Sequence, residues 1–307
     1  MPSTLGTFPM FLLVPSQTMT RIQQTTHSRR RFLTLAAAAG GAAVLPFRHA
    51  AGAGVDEADG YRGLPMGIQS YTLRNFTLTQ ALRHIRGMKL HFVEFFGAHF
   101  PLDASPDKIA EIKEALAESK LKISAHGVNG FGGDHEANRR VFEFAKAAGI
   151  KNVTANPEPN SFDSLDKLVK EYDIRIAIHN HGPGALYDGL ETVQKAVKDR
   201  HPLIGACVDT GHVLRSAEDP VKWIRELGPR VFALHVKDVA EQQDRTHDVV
   251  IGSGHLDVTG MFKALKEVKF PADGSLSLEY ESNPDNPVAD VEECLAVARE
   301  AIPKAGW

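Results

Sequence analysis

Eight polar residues in the second half of the chain carry side chains that bind metal ions or move protons, and they stand at the ends of four apolar segments. They are His179 and His181, Asp209 and His212, His235 and Lys237, and Glu279 and Glu281. Residues two apart in a strand share a face, so the 179/181, 235/237 and 279/281 pairs each point to one side. Two imidazoles and two carboxylates suit Mn²⁺, Zn²⁺, Fe²⁺ or Co²⁺ better than Ca²⁺. If the four segments meet, we predict one divalent metal ion bound by His179, Asp209, His235 and Glu279.

Each of these residues also has a structural explanation of its own. A lone histidine near a strand end often only makes hydrogen bonds, Asp209 could cap the following loop, and Glu279 could pair with a lysine. Burying several such groups near one point costs free energy unless they are paired or bind a cation. The coincidence of four strand ends therefore favours a metal site over four separate structural roles.

The segments that must position these side chains alternate between strand-like and helix-like patterns after about Asp59. The predicted strands are the runs Met66–Tyr71, His91–Phe96, Leu121–His126, Asn152–Ala155, Ile174–His179, Ile204–Asp209, Val231–Val236 and Ser275–Tyr280. Between them apolar residues repeat about every 3.6 positions, as at Ile109, Ile112 and Leu116. This alternation indicates a parallel sheet, and eight such units most naturally close into a (β/α)8 TIM barrel. Active sites in that fold lie at the C-terminal ends of the strands.

Composition agrees with one barrel domain over residues 59–307. The chain has 307 residues, of which 43% are hydrophobic, and a single barrel uses about 250 residues. The main rival is a doubly wound open sheet, but no G-x-G-x-x-G motif follows the first predicted strand, which disfavours its dinucleotide-binding version. A net charge of −3 gives no sign of a nucleic-acid partner. Two cysteines, Cys207 and Cys294, are not a disulfide framework.

The N-terminus is typical of an export signal. Ser28-Arg29-Arg30-Arg31-Phe32-Leu33 is followed by an apolar, alanine-rich stretch to about Leu45 and by Ala51-Gly52-Ala53, a plausible cleavage site. The paired arginines resemble the twin-arginine motif, and the apolar stretch is too short to span a bilayer comfortably. We therefore predict that residues 1–58 are a signal peptide and flexible leader, that the twin-arginine machinery exports the chain to the periplasm, and that it has no stable membrane insertion. Whether Met1 or Met19 is the true start stays open.

Several of these segments together resemble the sugar phosphate isomerase/epimerase family, which has a xylose isomerase-like TIM barrel. The segments are Met66–Tyr71, Val93-Glu94-Phe95-Phe96, Val208-Asp209-Thr210-Gly211-His212, Leu234-His235-Val236-Lys237-Asp238, Gly252–Asp257 and Leu278-Glu279-Tyr280-Glu281. The resemblance covers about residues 64–303. Relatives in this superfamily include tagatose epimerases, hydroxypyruvate isomerases, inosose dehydratases and AP endonucleases.

The resemblance implies a metal held by Glu, Asp, His and Glu on the fifth to eighth strands. Carried over to this sequence, the last three ligands are Asp209, His235 and Glu279, whereas His179 stands where the family has its fifth-strand Glu. In the epimerases that Glu also belongs to the acid/base pair that acts through an ene-diolate, and a metal-bound imidazole has no lone pair left to act as a base. Proton transfer would then fall to Glu279, Glu281, His181 or His212, which puts two-carboxylate epimerisation in doubt.

Other polar and aromatic residues are candidates for contact with a substrate. They are His212, His126, Gln69, Tyr71, Phe96 and Arg245. Lys237 could bind a substrate oxygen or pair with Asp238, and Glu94 could hydrogen-bond a metal ligand. His126 could equally close a turn, the aromatic residues could simply pack, and loop solvation explains Arg245 as well.

Three functions are compatible with these features. The first is a metal-dependent isomerase or epimerase that acts on a sugar or keto-sugar through a metal-stabilised ene-diolate, with Glu279, Glu281, His181 and Lys237 as catalytic groups. The second is a lyase or hydratase acting on a keto-sugar or an inosose-like ring. The third is a sugar-binding protein with a structural metal, which the number of His and carboxylate groups disfavours. The sequence leaves open the sugar, its phosphorylation, the metal and whether the chain forms a homo-oligomer.

Overall fold

A computed structural model describes residues 60–307. The predicted twin-arginine segment and cleavage site lie outside the described residues. Within residues 60–307 no helix is both long and apolar enough to cross a membrane.

Eight parallel strands close into a barrel, as the alternating pattern predicts. The strands are β1 (Met66–Gln69), β2 (Phe92–Phe95), β3 (Lys122–Phe131), β4 (Asn152–Pro157), β5 (Arg175–His179), β6 (Ile204–Asp209), β7 (Val231–Val236) and, after a two-stranded hairpin, β10 (Ser275–Leu278). Around the barrel they follow chain order, and β10 closes it between β7 and β1. The (β/α)8 barrel is thus confirmed, and the open-sheet rival is excluded.

Helices cover the outside of the barrel. They are α1 (Leu78–Gly87), α2 (Pro106–Glu118), α3 (His135–Ala148), α4 (Phe162–Tyr172), α5 (Leu190–Val197), α6 (Thr210–Arg215), α7 (Pro220–Leu227), α8 (Val258–Glu267) and α9 (Val288–Lys304). Local sequence sets their ends: Thr77 and Gln80 form a capping box at the start of α1, and Gly149, with φ of 80°, caps the C-terminal end of α3. Their apolar faces bury residues such as Phe142 and Trp223 against the sheet.

Strand ends differ from the prediction at three places that matter for the site. The first predicted strand reaches Tyr71, but β1 ends at Gln69 and a 3-10 helix follows at Ser70–Leu73. β3 continues five residues beyond His126 to Phe131. β10 ends at Leu278, so Glu279 and Glu281 belong to the segment that leaves the barrel.

A short hairpin, not anticipated from the sequence, interrupts the chain between β7 and α8. β8 (Asp238–Val239) pairs antiparallel with β9 (Asp248–Val249). The buried Asp238 carboxylate fixes the segment that follows β9, because it accepts hydrogen bonds at 2.7–3.0 Å from the backbone N–H groups of residues 252, 254, 255 and 256. A Cβ at Gly254 would lie 2.2 Å from the Val239 carbonyl oxygen, so only glycine fits here.

Candidate functional site

The C-terminal ends of β5, β6 and β7 and the segment after β10 bring four ligand-type side chains to one point. One ligand atom from each of His179, Asp209, His235 and Glu279 lies within 4.8 Å of the others, and all four residues are buried. Strand register explains the meeting, because Asp209 pairs with His235 and His179 pairs with Cys207. The structure thus brings together the four residues that the sequence singles out as metal ligands.

Distances within this cluster fit a small divalent cation. His179 Nε2 lies 3.0 Å from His235 Nδ1 and 3.2 Å from Asp209 Oδ2, and His235 Nδ1 lies 2.9 Å from Glu279 Oε2. Ligands about 2.1 Å from one ion would stand about 3.0–3.4 Å apart in octahedral or tetrahedral geometry. The four side chains could therefore hold a metal ion without a change of fold.

Two carboxylate oxygens at the centre lack a hydrogen-bond partner within residues 60–307. Asp209 Oδ2 and Glu279 Oε2 are buried and make no well-directed hydrogen bond, although the Lys237 ammonium lies 3.2 and 3.0 Å from them. Buried unsatisfied carboxylate oxygens are costly. A cation bound between them would satisfy both, and an N₂O₂ donor set suits the borderline transition metals.

Glu94, on β2, fixes the ring of His235. His235 Nε2 lies 3.0 Å from Glu94 Oε1, so the ionised carboxylate accepts a hydrogen bond from the Nε2–H group. The other ring nitrogen, Nδ1, then faces the cluster. Thr154 and Ser277 donate hydrogen bonds of 2.6 and 2.7 Å to the same carboxylate. Burial works against the charge of Glu94, but His235 and these donors keep its pKa below the usual value.

Lys237 neutralises part of the negative charge. Its buried ammonium contacts Asp209, Glu279 and Glu281. Burial opposes the charged form of Lys237, yet the three carboxylates raise its pKa well above the usual value. The alternative pairing with Asp238 is absent among the described contacts, because that side chain turns to the hairpin backbone.

His235 also responds to the surplus of carboxylates. Burial lowers its pKa, but the neighbouring Cys207 sulfur and the Glu94 and Glu279 carboxylates outweigh burial and raise the pKa well above the usual value. In the absence of a metal, the cluster thus attracts positive charge. This is the electrostatic character expected of a cation site.

His181 and His212 form a second wall beside the cluster. The His181 ring centroid lies 4.6 Å from that of His179 and 5.3 Å from that of His212. Burial lowers the pKa of both His181 and His212 to about 4. Both imidazoles are therefore neutral at pH 7.

A cavity of about 430 Å³ opens above the cluster, a size typical of small-molecule sites. One side is formed by Gln69, Tyr71 and Phe96, and the other by His181, His212, Lys237, Glu279 and Glu281. Tyr71 and Phe96 meet edge to face with centroids 5.5 Å apart, so they offer an apolar surface opposite the polar groups. Glu281 is half-exposed to this cavity, and unlike Glu279 it does not belong to the ligand cluster.

Two predicted substrate contacts lie away from this cavity. His126 is buried, with Nε2 2.8 Å from the Phe100 carbonyl oxygen and Nδ1 3.1 Å from Asn129 Nδ2, so its ring is used structurally. Arg245 is exposed on the hairpin and does not line the cavity. Its neighbours Thr246 and His247 face a second, smaller cavity instead.

Three residues near the site were not anticipated from the sequence. Asn180 clamps the backbone of Asp209 through hydrogen bonds of 2.8 and 3.1 Å. Arg215 places its guanidinium beside His212 and is held by Asp244. Asp248 accepts the Glu281 N–H, and burial raises its pKa to about 6. The position of Asn180 between His179 and His181 is visible in the sequence, whereas the roles of the other two residues depend on loop geometry.

The barrel and its site define a xylose isomerase-like protein, and comparison with known families agrees. The chain belongs to the xylose isomerase-like TIM barrel family, whose family model matches residues 82–301. Among its relatives, a protein named inosose dehydratase from Clostridium tetani is 28% identical over 247 residues, which cover 73% of this chain and 79% of the relative.

Solved structures show the same fold. An uncharacterised protein from Parabacteroides distasonis is 32% identical with a TM-score of 0.61, over 78% of this chain and 99% of that one. A 3-keto-D-glucoside 4-epimerase from E. coli has a TM-score of 0.60 over 77% of this chain and 99% of that one. At 17% identity, the latter likeness concerns the fold alone.

Proposed function

We propose that this chain is a divalent-metal-dependent enzyme that removes the proton next to the carbonyl group of a keto-sugar or inosose-like ring. The observation that carries this proposal is the cluster of His179, Asp209, His235 and Glu279 at the floor of an open cavity. A bound divalent ion would polarise the substrate carbonyl and lower the cost of the negative charge that deprotonation creates. A purely structural metal would need no cavity with free acid and base groups beside it, so the sugar-binding alternative is the weakest of the three.

The residues around the cluster can carry the proton. Glu281 reaches the cavity outside the ligand set, so it is placed to take the α-proton as general base. Lys237, which contacts the same carboxylate, can donate a hydrogen bond to a substrate oxygen. Tyr71 and Phe96 can pack against the apolar face of a sugar ring and exclude water on that side.

Elimination or addition of water is the outcome that this arrangement supports best. The carboxylates that can act as bases come from a single segment, because Glu279 and Glu281 both follow β10, whereas β5 ends in the imidazole of His179. After Glu281 takes the α-proton, it can return that proton to a hydroxyl leaving from the same face, and water departs. This step needs a single base, and the Clostridium tetani relative is named for a dehydration.

Isomerisation or epimerisation is the second candidate. His181, which follows β5, and His212, on α6, stand beside the cluster and come from other elements than Glu281, so they are the candidates for a second proton-exchanging group. Inversion at carbon requires such a second acid/base group. The two outcomes share the first step and differ in the product.

The test is turnover by the purified chain after chelation and reloading with Mn²⁺, Zn²⁺, Fe²⁺ or Co²⁺. Inososes and keto-sugars would be followed by NMR and mass spectrometry in deuterated water. We expect activity only with metal, and a product that has lost one water together with the hydrogen of the α-carbon. A product that keeps all the substrate's oxygen atoms and carries one deuterium on carbon would select the isomerase or epimerase instead. Turnover by protein shown to be free of metal would refute the proposal.

Glu94→Gln is expected to weaken metal affinity about tenfold, because the neutral amide holds the Nε2–H of His235 less strongly and makes its Nδ1 a poorer ligand. The matched control is Thr154→Val, which removes a hydrogen bond from the same Glu94 oxygen without contacting His235. Isothermal titration calorimetry with Mn²⁺ or Zn²⁺ measures the metal affinity of both variants. Equal affinities of Glu94→Gln and the parent would show that Glu94 does not tune the site.

We also propose export through the twin-arginine pathway. Lysine lacks the planar guanidinium fork, so changing Arg29 and Arg30 together to Lys should leave the protein in the cytoplasm. Fractionation and N-terminal sequencing would follow the parent, whose periplasmic form is expected to begin near Gly54. Normal export of the double variant would rule out this route.

A further inference from the structure

A second cavity adjoins the catalytic one on the side of the hairpin. Its volume is about 250 Å³, and it is lined by Gly211, His212, Arg215, Lys237, Thr246, His247, Asp248, Glu281 and Ser282. We propose that it binds a second sugar ring, so that the substrate is a keto-sugar carried within a glycoside. This inference rests on the proposed function and names the substrate class of the same site.

The two cavities lie side by side and share part of their lining. His212, Arg215, Lys237 and Glu281 line both of them. A keto-sugar ring above the metal ligands would therefore have its substituent directed past Lys237 and Glu281 into the second cavity. A free monosaccharide would leave this space to water.

Charge balance favours a neutral hydroxylated ligand over an anion. The two cations of the wall are already paired, Lys237 with Glu279 and Glu281, and Arg215 with Asp244. A phosphate or carboxylate would also meet the carboxylates of Asp248 and Glu281. Sugar hydroxyls, which donate and accept, suit a surface that mixes two carboxylates, two hydroxyls and two imidazoles.

The outer wall of this cavity is held in place by hydrogen bonds. Asp238 fixes the hairpin through the backbone of residues 252–256. Ser282 donates a 2.9 Å bond to the Asp248 carbonyl oxygen, and Thr246 accepts one of 3.1 Å from Glu241 N. The cavity is thus a preformed feature, and its occupant need not order a loop.

The experiment compares substrates that share one keto ring. These are 3-keto-D-glucose, its methyl glycoside, and a 3-keto-disaccharide in which a second glucose replaces the methyl group. The variant is Thr246→Phe, which fills the second cavity, and the matched control is Gln242→Phe, which adds the same bulk at an exposed position of the same hairpin that lines neither cavity. His247→Ala serves as a second variant if Thr246→Phe does not fold.

We expect the parent and Gln242→Phe to prefer the disaccharide over both smaller substrates at least tenfold in kcat/KM. Thr246→Phe should lower kcat/KM for the disaccharide at least tenfold more than for the monosaccharide, and His247→Ala severalfold more. Equal kcat/KM for the three substrates in the parent would overturn the inference, as would equal losses for all of them in Thr246→Phe. If the parent turns over none of them but turns over an inosose, this inference fails and the proposed function stands, whereas no turnover of any inosose or keto-sugar makes the proposed function fail. Calorimetric binding of the same ligands then still tests the second cavity, through tighter binding of the disaccharide that Thr246→Phe abolishes.

Discussion

Asp209→Asn is expected to lower metal affinity more than about 100-fold and turnover at least about 10³-fold. The amide removes the negative charge at Oδ2, one of the two unsatisfied oxygens at the centre of the cluster. It keeps the oxygen that accepts the His212 N–H at the start of α6, so the helix cap survives. Because a direct ligand is lost, the effect should exceed the 10–100-fold typical of residues that only support a ligand. Calorimetry and steady-state kinetics measure the two effects.

Asp219→Asn is the matched control for this variant. Asp219 also caps a helix, α7, by accepting the Val221 N–H, but it lies outside the ligand cluster. Its variant should keep both metal and activity. Parent-like metal affinity in Asp209→Asn would show that this carboxylate is not a ligand.

Glu281→Gln is expected to lower kcat by about 10²–10⁴-fold while one metal ion per chain is retained. The amide cannot accept the substrate proton, and loss of a general base has a cost of this size. Because Glu281 does not belong to the four-residue cluster, the metal should stay bound. Metal analysis by mass spectrometry, together with kcat and KM, separates loss of chemistry from loss of metal.

Asp285→Asn, an exposed carboxylate in the same post-β10 segment, is the control and should keep parent activity. Unchanged kcat in Glu281→Gln would show that Glu281 is not the general base and would leave His181 or Glu279 as the candidates. Substituting His181 by a neutral isostere would then be the next variant, because it too should leave the metal in place.

Strand-end chemistry could be predicted because a parallel barrel brings the C-terminal ends of neighbouring strands together. His179, Asp209 and His235 are strand-end residues in both prediction and structure, and period-two alternation aims them into the barrel mouth. The same alternation separates Lys237 from Asp238, which explains why Lys237 turns to the carboxylate cluster and Asp238 turns to the hairpin.

The features of the site that the sequence did not predict depend on contacts between segments far apart in the chain. Nothing in the sequence around His126 indicates that its Nε2 will be hydrogen-bonded to the Phe100 carbonyl oxygen. The hairpin after β7 is held by a side chain bonding to backbone groups 14–18 residues later, and it alone decides that Thr246 faces the second cavity while Arg245 does not. Hydrophobic periodicity and secondary-structure propensity are local properties of the sequence, so they do not predict contacts over such distances.

Metal binding by His179→Ala and His181→Ala tests the central claim most directly. The two histidines stand two residues apart, one in the ligand cluster and one beside it. Calorimetric titration with Mn²⁺ and Zn²⁺ should show one site per chain in the parent and in His181→Ala, and a loss of affinity of more than about 100-fold in His179→Ala, since a direct ligand is removed. Binding by His179→Ala as tight as that of the parent would contradict the account.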